Sequence, residues 1–496
     1  MRPFRPLAAM FALALPAVLA AQAPRAGALP TAPGTLTLEQ AVELALANTP
    51  QVRQAANDQR TAAANVRAAY GSLLPQLSAN AGMNWREGRA QVFGGQSIGA
   101  SSNTIGSNGS LNGSLNVGLD RLAQPSAARA GQRVTEASLA DTRNTIRQSV
   151  TVGYITAVRS EARVALEDSL VASARLQVEL ARARVAVGSA NQLDVQRAEV
   201  ALGQQRVRAV QARSQAIADR NTLFQRMGVV PPEGTVVLPN TLTVGELPLT
   251  LEQLLAEARR GNTALAVSSS VTEARDQEQR VTKLSYYPQL QLSAGYGGFT
   301  NQFTDRGFVV NNALAGKQGP CFQQQSILGI VGQPSDPSLC NAIQLTPAER
   351  QAAIDRNATW PFQFTRNPYA VNFSISLPIF DGFTRGQRLQ QAEVARDNAR
   401  EAERRDRIAV ETNTRSVHAL LVAAREAAAI AVENATTARA ALTLAEARYR
   451  AGAATFLDVA TARDDFARAE TDRINTVAVF AEQLANLEAL VGRRLR

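Results

Sequence analysis

The sequence predicts a mainly α-helical chain that contributes to a membrane β-barrel. Long antiparallel coiled-coil helices carry four strands per chain, and three chains would supply twelve strands, enough for a barrel that encloses an aqueous lumen. Three observations predict it. The composition is 45% hydrophobic but only 5% aromatic, with alanine throughout, which suits closely packed long helices better than a compact enzyme core. The same ordered set of segments occurs twice. Within each set, short runs of period two lie between long runs of helical period.

From the N-terminus, residues 1–23 read as a signal peptide: Arg2 and Arg5, an apolar run from Leu7 to Leu19, then Ala20-Ala21-Gln22-Ala23. Cleavage falls between Ala20 and Ala23, and no nearby cysteine offers a site for lipid attachment. The apolar run is too short to cross a bilayer as a helix, and no later stretch reaches the roughly 20 uninterrupted apolar residues that crossing requires. That excludes an inner-membrane transporter. The net charge of +10 rests on arginine, since Lys283 and Lys317 are the only lysines. Those arginines are spread among acids along helical stretches, the pattern of solvated helix faces rather than of a nucleic-acid surface.

Leu36-Thr37-Leu38-Glu39-Gln40 recurs as Leu249-Thr250-Leu251-Glu252-Gln253, and Pro75-Gln76-Leu77 as Pro288-Gln289-Leu290, both 213 positions later. Gly188 with Leu193-Asp194-Val195 recurs as Gly452 with Leu457-Asp458-Val459 at an offset of 264, so the second copy has gained 51 residues. Two structural repeats follow, 36–230 and 249–496, joined by a linker at 231–248. The gain falls at about 298–368, a segment rich in Asn, Gln, Gly and Pro that reads as a large loop.

Each repeat opens with a helix capped at Thr37 or Thr250 and running to about Leu74 or Tyr287, where Pro75 and Pro288 stop it. Alternation then marks strands: Leu77, Ala79 and Ala81 against Gln76, Ser78 and Asn80, and Leu290, Leu292 and Ala294 against Gln289, Gln291 and Ser293. Leu115-Val117-Leu119 closes the first hairpin, with Gly94–Gly113 as the loop between its strands, and Val371-Phe373-Ile375-Leu377 closes the second. The longest helices follow, from about Ser126 to Val187 and from about Thr384 to Ala451, each extending about 90 Å at 1.5 Å per residue. Gly188-Ser189-Ala190 and Gly452-Ala453-Ala454 reverse the chain into a last helix. In the second of these, Val477, Phe480, Leu484, Leu487 and Val491 trace a coiled-coil seam. Four strands cannot close a barrel, and an open edge cannot face lipid, so other copies must supply closure.

Signal peptide, duplicated helix, hairpin, long helix, tip turn and helix resemble, in that order, the TolC-like outer-membrane efflux protein family. The resemblance covers nearly all of residues 36–493. It is carried by Tyr287-Pro288-Gln289-Leu290, Leu377-Pro378-Ile379-Phe380-Asp381-Gly382, Ala447-Arg448-Tyr449-Arg450-Ala451-Gly452 and Phe456-Leu457-Asp458-Val459. It implies a homotrimeric outer-membrane channel continued by a periplasmic tunnel, the passive exit duct of a tripartite efflux system. Its partners would be outer-membrane lipid, a periplasmic adaptor (membrane fusion) protein and, indirectly, an inner-membrane transporter. The outlet of a type I protein secretion system would share this fold. A soluble periplasmic coiled-coil scaffold would explain the helices but not the paired hairpins.

By the same resemblance Asp194 and Tyr449 match a tunnel-closing network and Asp458 an entrance ring of acids, while Gly188, Leu193, Gly452 and Leu457 match the adaptor-contacting tip. The local alternative is that Gly reverses the chain and that Asn191-x-x-Asp194 and Thr455-x-x-Asp458 are capping boxes. The sequence also departs from the family pattern, with Ala454 in place of a network arginine and Thr461 in place of a second ring acid. Cys321 and Cys340, both in the inserted segment of an exported chain, are expected to form a disulfide. The lone His418 lies mid-helix, and no catalytic constellation, metal set or phosphate loop emerges. No enzyme activity, cofactor, metal or nucleic-acid partner is expected.

Overall fold

The computed structural model describes residues 34–88, 91–93, 96–98, 102–188, 191–232, 234, 236–246 and 249–495. The expected signal peptide, and Ser189 and Ala190 of the first tip turn, lie outside the described residues. In chain order the elements are α1 (Leu38–Asn48), α2 (Pro50–Gly71), β1 (Gln76–Arg86), β2 (Gln91–Phe93), β3 (Gln96–Ile98), β4 (Thr104–Val117), α3 (Leu119–Ala186) and α4 (Gln192–Met227). Then come α5 (Leu251–Gly261), α6 (Thr263–Leu284), β5 (Gln289–Phe303), α7 (Arg306–Ile330), α8 (Ser338–Asn341), α9 (Pro347–Asn357), β6 (Thr365–Arg366), β7 (Ala370–Ser376), α10 (Thr384–Arg450) and α11 (Phe456–Val491). The chain is mainly helical with a few antiparallel strands. The helices pair in length: 11 residues in α1 and α5, 22 in α2 and α6, 68 and 67 in α3 and α10, 36 in α4 and α11.

Several expectations need correction. The opening helix of each half is two helices, because Pro50 bars its predecessor from helical geometry and the Asn262 side chain instead caps a new start, accepting from the Leu265 N–H at 2.9 Å. α3 begins at Leu119, not Ser126, and contains Pro125 in its second turn. The stretch Gly94–Gly113 is not all loop: β4 starts at Thr104 and pairs along its length with β1 and β5. Ladder bonds on both sides override the poor strand propensity of Gly, Ser and Asn. The 298–368 segment is not a structureless loop either. It completes β5 and then forms α7, α8, α9 and β6.

The chain divides into two compact units. The first comprises the described residues of Met1–Ala63, Ala130–Ala274 and Asp397–Arg496. Here α1 and α5 each start with a capping box, Thr37 with Gln40 and Thr250 with Gln253. Leu36, Val42, Val150, Tyr154, Phe224 and Met227 form one core cluster, and Leu254, Leu421, Phe480, Leu484 and Leu487 another. The buried Tyr154 hydroxyl donates to the carbonyls of Leu36 and Pro239 at 3.2 and 3.0 Å, and burial, with Glu161 nearby, pushes its pKa up to about 12.

The second unit, Ala64–Arg129 with Arg275–Arg396, holds an antiparallel sheet in the order β1-β4-β5, with β7 and β6 both on β5. Residues paired across antiparallel strands share a face. One face gathers Leu77, Met83, Trp85, Leu111, Leu292 and Phe373, and the other Gln76, Asn80, Asn112, Ser293 and Asn372. The apolar face is open, Met83 being 68% and Phe373 65% exposed. Within the insertion, α7 is tied to α8 by the Cys321–Cys340 disulfide, Cα atoms 5.6 Å apart. α7 is tied to α9 by Lys317, whose Nζ lies 2.8 Å from the Glu349 carboxylate.

Candidate functional site: the two helical tips

Both tips lie in the first unit and are built alike. α3 frays into Gly188, whose N–H donates to the Val185 carbonyl at 3.0 Å, and α10 ends with the Ala453 and Gly452 N–H groups donating to Arg448 and Tyr449 carbonyls at 2.8 and 3.1 Å. Gly188 has φ +73° and Gly452 φ +79°, left-handed values that other residues adopt only at a cost of roughly 1–2 kcal/mol. Each turn therefore needs glycine, and each meets a capped helix start.

The two caps differ. At α11 the capping box is complete: the Thr455 N–H and hydroxyl donate to Asp458 Oδ2 at 2.7 and 2.8 Å, and the Asp458 N–H donates to the Thr455 hydroxyl at 3.3 Å. The Thr455 backbone bond, then its hydroxyl bond, and then the charge of Arg448 hold the Asp458 carboxyl below the usual aspartate range. At α4, Asn191 caps instead through the Leu193 N–H at 3.4 Å. Asp194 is left 3.9 Å from Arg197, so the capping box expected there is not formed. The Asn191 amide oxygen accepts from a donor two residues on, and the acid is left to the arginine.

Leu193 and Leu457 are exposed, at 45% and 69%, an apolar surface on each tip. Phe456 turns inward and packs against the cluster of Val178, Val195 and Ala198. Tyr449 is buried at 2% beneath Arg184, whose guanidinium sits 4.3 Å over its ring and also donates to its carbonyl. Sequence reasoning weighed the acids and the tyrosine but missed Arg184 and Arg448. A signal was present: Arg184 recurs as Arg448 at the same offset of 264, each four residues before its tip glycine. Among the described residues no group of three or more acids, histidines or cysteines could hold a metal ion, and no helix is long and apolar enough to cross a membrane.

Paired long helices with glycine tips, joined in one chain to an antiparallel sheet, define a fold shared with solved outer-membrane channels. The chain is similar to the outer membrane protein VceC of Vibrio cholerae (17% identity, 92% of this chain and 97% of that one, TM-score 0.68). It is also similar to the Campylobacter jejuni CmeC outer membrane channel (15%, 92% and 85%, TM-score 0.70) and to the open state of the Neisseria gonorrhoeae MtrE outer membrane channel (17%, 92% and 89%, TM-score 0.66). The chain belongs to the outer membrane efflux protein family, which it matches over residues 41–229 and 348–493. That family is one of channel proteins. No protein of curated function matches the sequence.

Proposed function

We propose that three copies of this efflux protein close a twelve-stranded barrel in the outer membrane and continue it as a periplasmic tunnel, with the tips as its inner entrance. The observation that carries this reading is the sheet of the second unit. It has one open apolar face and one polar face, and its edge strands β1 and β7 are each paired on a single side among the described residues. In lipid such edges demand partners, because unpaired backbone groups cost several kcal/mol each. A second observation in the first unit supports assembly: Leu193, Val200 and Val207, with Val210 and Ile217, recur every seven residues along α4 and are exposed, a coiled-coil seam awaiting another helix.

The matching helix lengths fit a duplicated chain, 36–230 and 249–496, so three chains would present six tips of two kinds. Leu193 and Leu457 are the surfaces that an adaptor would meet, and Gly188 and Gly452 shape them. Asp458, kept ionised by its cap, supplies a ring of like charges that attracts cations, and Asp194 supplies a second beside Arg197. Tyr449 acts from beneath: with alanine at 454, Arg184 stacked on its ring ties the two tips of one copy together. The test is single-channel recording in planar bilayers of wild type against Asp458→Ala. Cation-preferring openings that lose their preference in the variant support channel and ring together. Openings indifferent to the substitution retain the channel and remove the ring, and folded protein that never inserts overturns the reading.

A further inference from the structure

On the apolar face of the sheet, one patch is polar. Ser107 of β4 and Thr300 of β5 face each other there, their hydroxyls 2.8 Å apart, flanked by Gly109 and Gly298. Both hydroxyl residues are nonetheless buried, at 5% and 4% exposure, because residues 359–364 run across them before the chain joins the sheet as β6. The Ser107 hydroxyl donates to the Pro361 carbonyl at 2.6 Å, the Trp360 N–H donates to Gln302 Oε1 at 3.1 Å, and the Thr359 hydroxyl donates to the Asn301 carbonyl at 3.2 Å. A side chain at Gly298 would come within 2.8 Å of the Thr365 carbonyl and 3.2 Å of Phe364 Cβ. The small residues thus make a bed in which this strap is seated.

The strap exchanges one kind of surface for another. It hides two hydroxyls and two glycines and presents Trp360, Phe362 and Phe364, of which Phe362 is 77% exposed. They stand beside Met83, which pairs with Ser107, and Trp85, which pairs with Ile105 on the same face. Aromatic rings on an otherwise apolar surface match the boundary between lipid headgroups and acyl chains, where an amphipathic ring is at home. A segment covering the mouth of a lumen would instead lie on the polar face.

We infer that residues 359–364 are an external strap that binds the bilayer at the headgroup–acyl boundary, so that the chain just before β6 passes over the lipid side of the sheet. The inference rests on the barrel reading, which assigns the apolar face to lipid. It is tested in vesicles of phosphatidylcholine brominated near the headgroup end of the acyl chains. Trp85→Phe leaves Trp360 as the sole tryptophan, and Trp360→Phe leaves Trp85.

The expected result is that Trp360 emits at short wavelength, is strongly quenched by the brominated lipid and resists aqueous iodide, as Trp85 does. Quenching of Trp85 but not Trp360, with iodide reaching Trp360, overturns the strap and leaves the barrel standing. Failure of lipid to quench either, in inserted protein, overturns both. If Trp85→Phe does not insert, subtracting the Trp360→Phe signal from wild type yields the same Trp360 quenching.

Discussion

Arg184 and Asp458 hold the tips by different chemistry, and the difference is measurable. The stack of Arg184 on a buried ring contributes roughly 1–2 kcal/mol when desolvated, so Arg184→Ala should speed amide exchange over residues 446–456 and raise channel conductance. Tyr449→Leu should match it, and Tyr449→Phe should behave as wild type, since the ring and the backbone carbonyl remain. Asp458 answers to pH. Its folded-state pKa lies below the ordinary value of 3.8, so what the cap contributes is present above that value and is lost as pH falls through the depressed one. Cation preference should hold from neutral pH to below 3.8 in recordings at stepped pH; a midpoint near neutrality would assign the charge elsewhere. The legible part of the site was its glycines, cap residues and acids, whose roles are local. The Arg184–Tyr449 stack was not legible, because it joins residues 265 positions apart and depends on how α3 and α10 pack.

Among elements, period and punctuation carried most of the information. Thr37 and Thr250 cap where expected, and the spacing of Phe480, Leu484 and Leu487 marks the buried seam of α11. The break between α1 and α2 was missed although Asn48-Thr49-Pro50 announces it, because both sides have helical period. The helices of the insertion were missed because α7 carries glycines and Pro320 and owes its form to α9 and a disulfide rather than to propensity. That disulfide closes a 19-residue separation, a loop whose closure contributes about 3 kcal/mol. Cys321→Ser should therefore open residues 306–357 to limited proteolysis while conductance stays unchanged, since neither cysteine lies in a barrel strand. A loss of conductance in that variant would place the insertion in the conducting path.

At the level of the whole molecule, the apolar stripe on α4 and the open sheet edges make separate demands for other copies. Val200→Glu with Val207→Glu should leave the secondary structure of the chain intact by far-UV circular dichroism. It should reduce the mass by light scattering in detergent from three copies towards one, because like charges would then line a seam that needs apolar residues. Retention of the assembled mass would leave assembly to the strands alone. Charge is distributed just as unevenly. Both lysines, Lys283 and Lys317, belong to the sheet-bearing unit, while the ion pairs described in the helical unit all use arginine, such as Arg133 with Glu273 and Arg182 with Glu199. Guanidinium groups do not react with the usual amine reagents. A dye or cross-linker aimed at lysine side chains would therefore mark only the sheet-bearing unit, and a lysine introduced at Leu457 would be the sole lysine of the helical unit, a handle for capturing whatever docks on the tip.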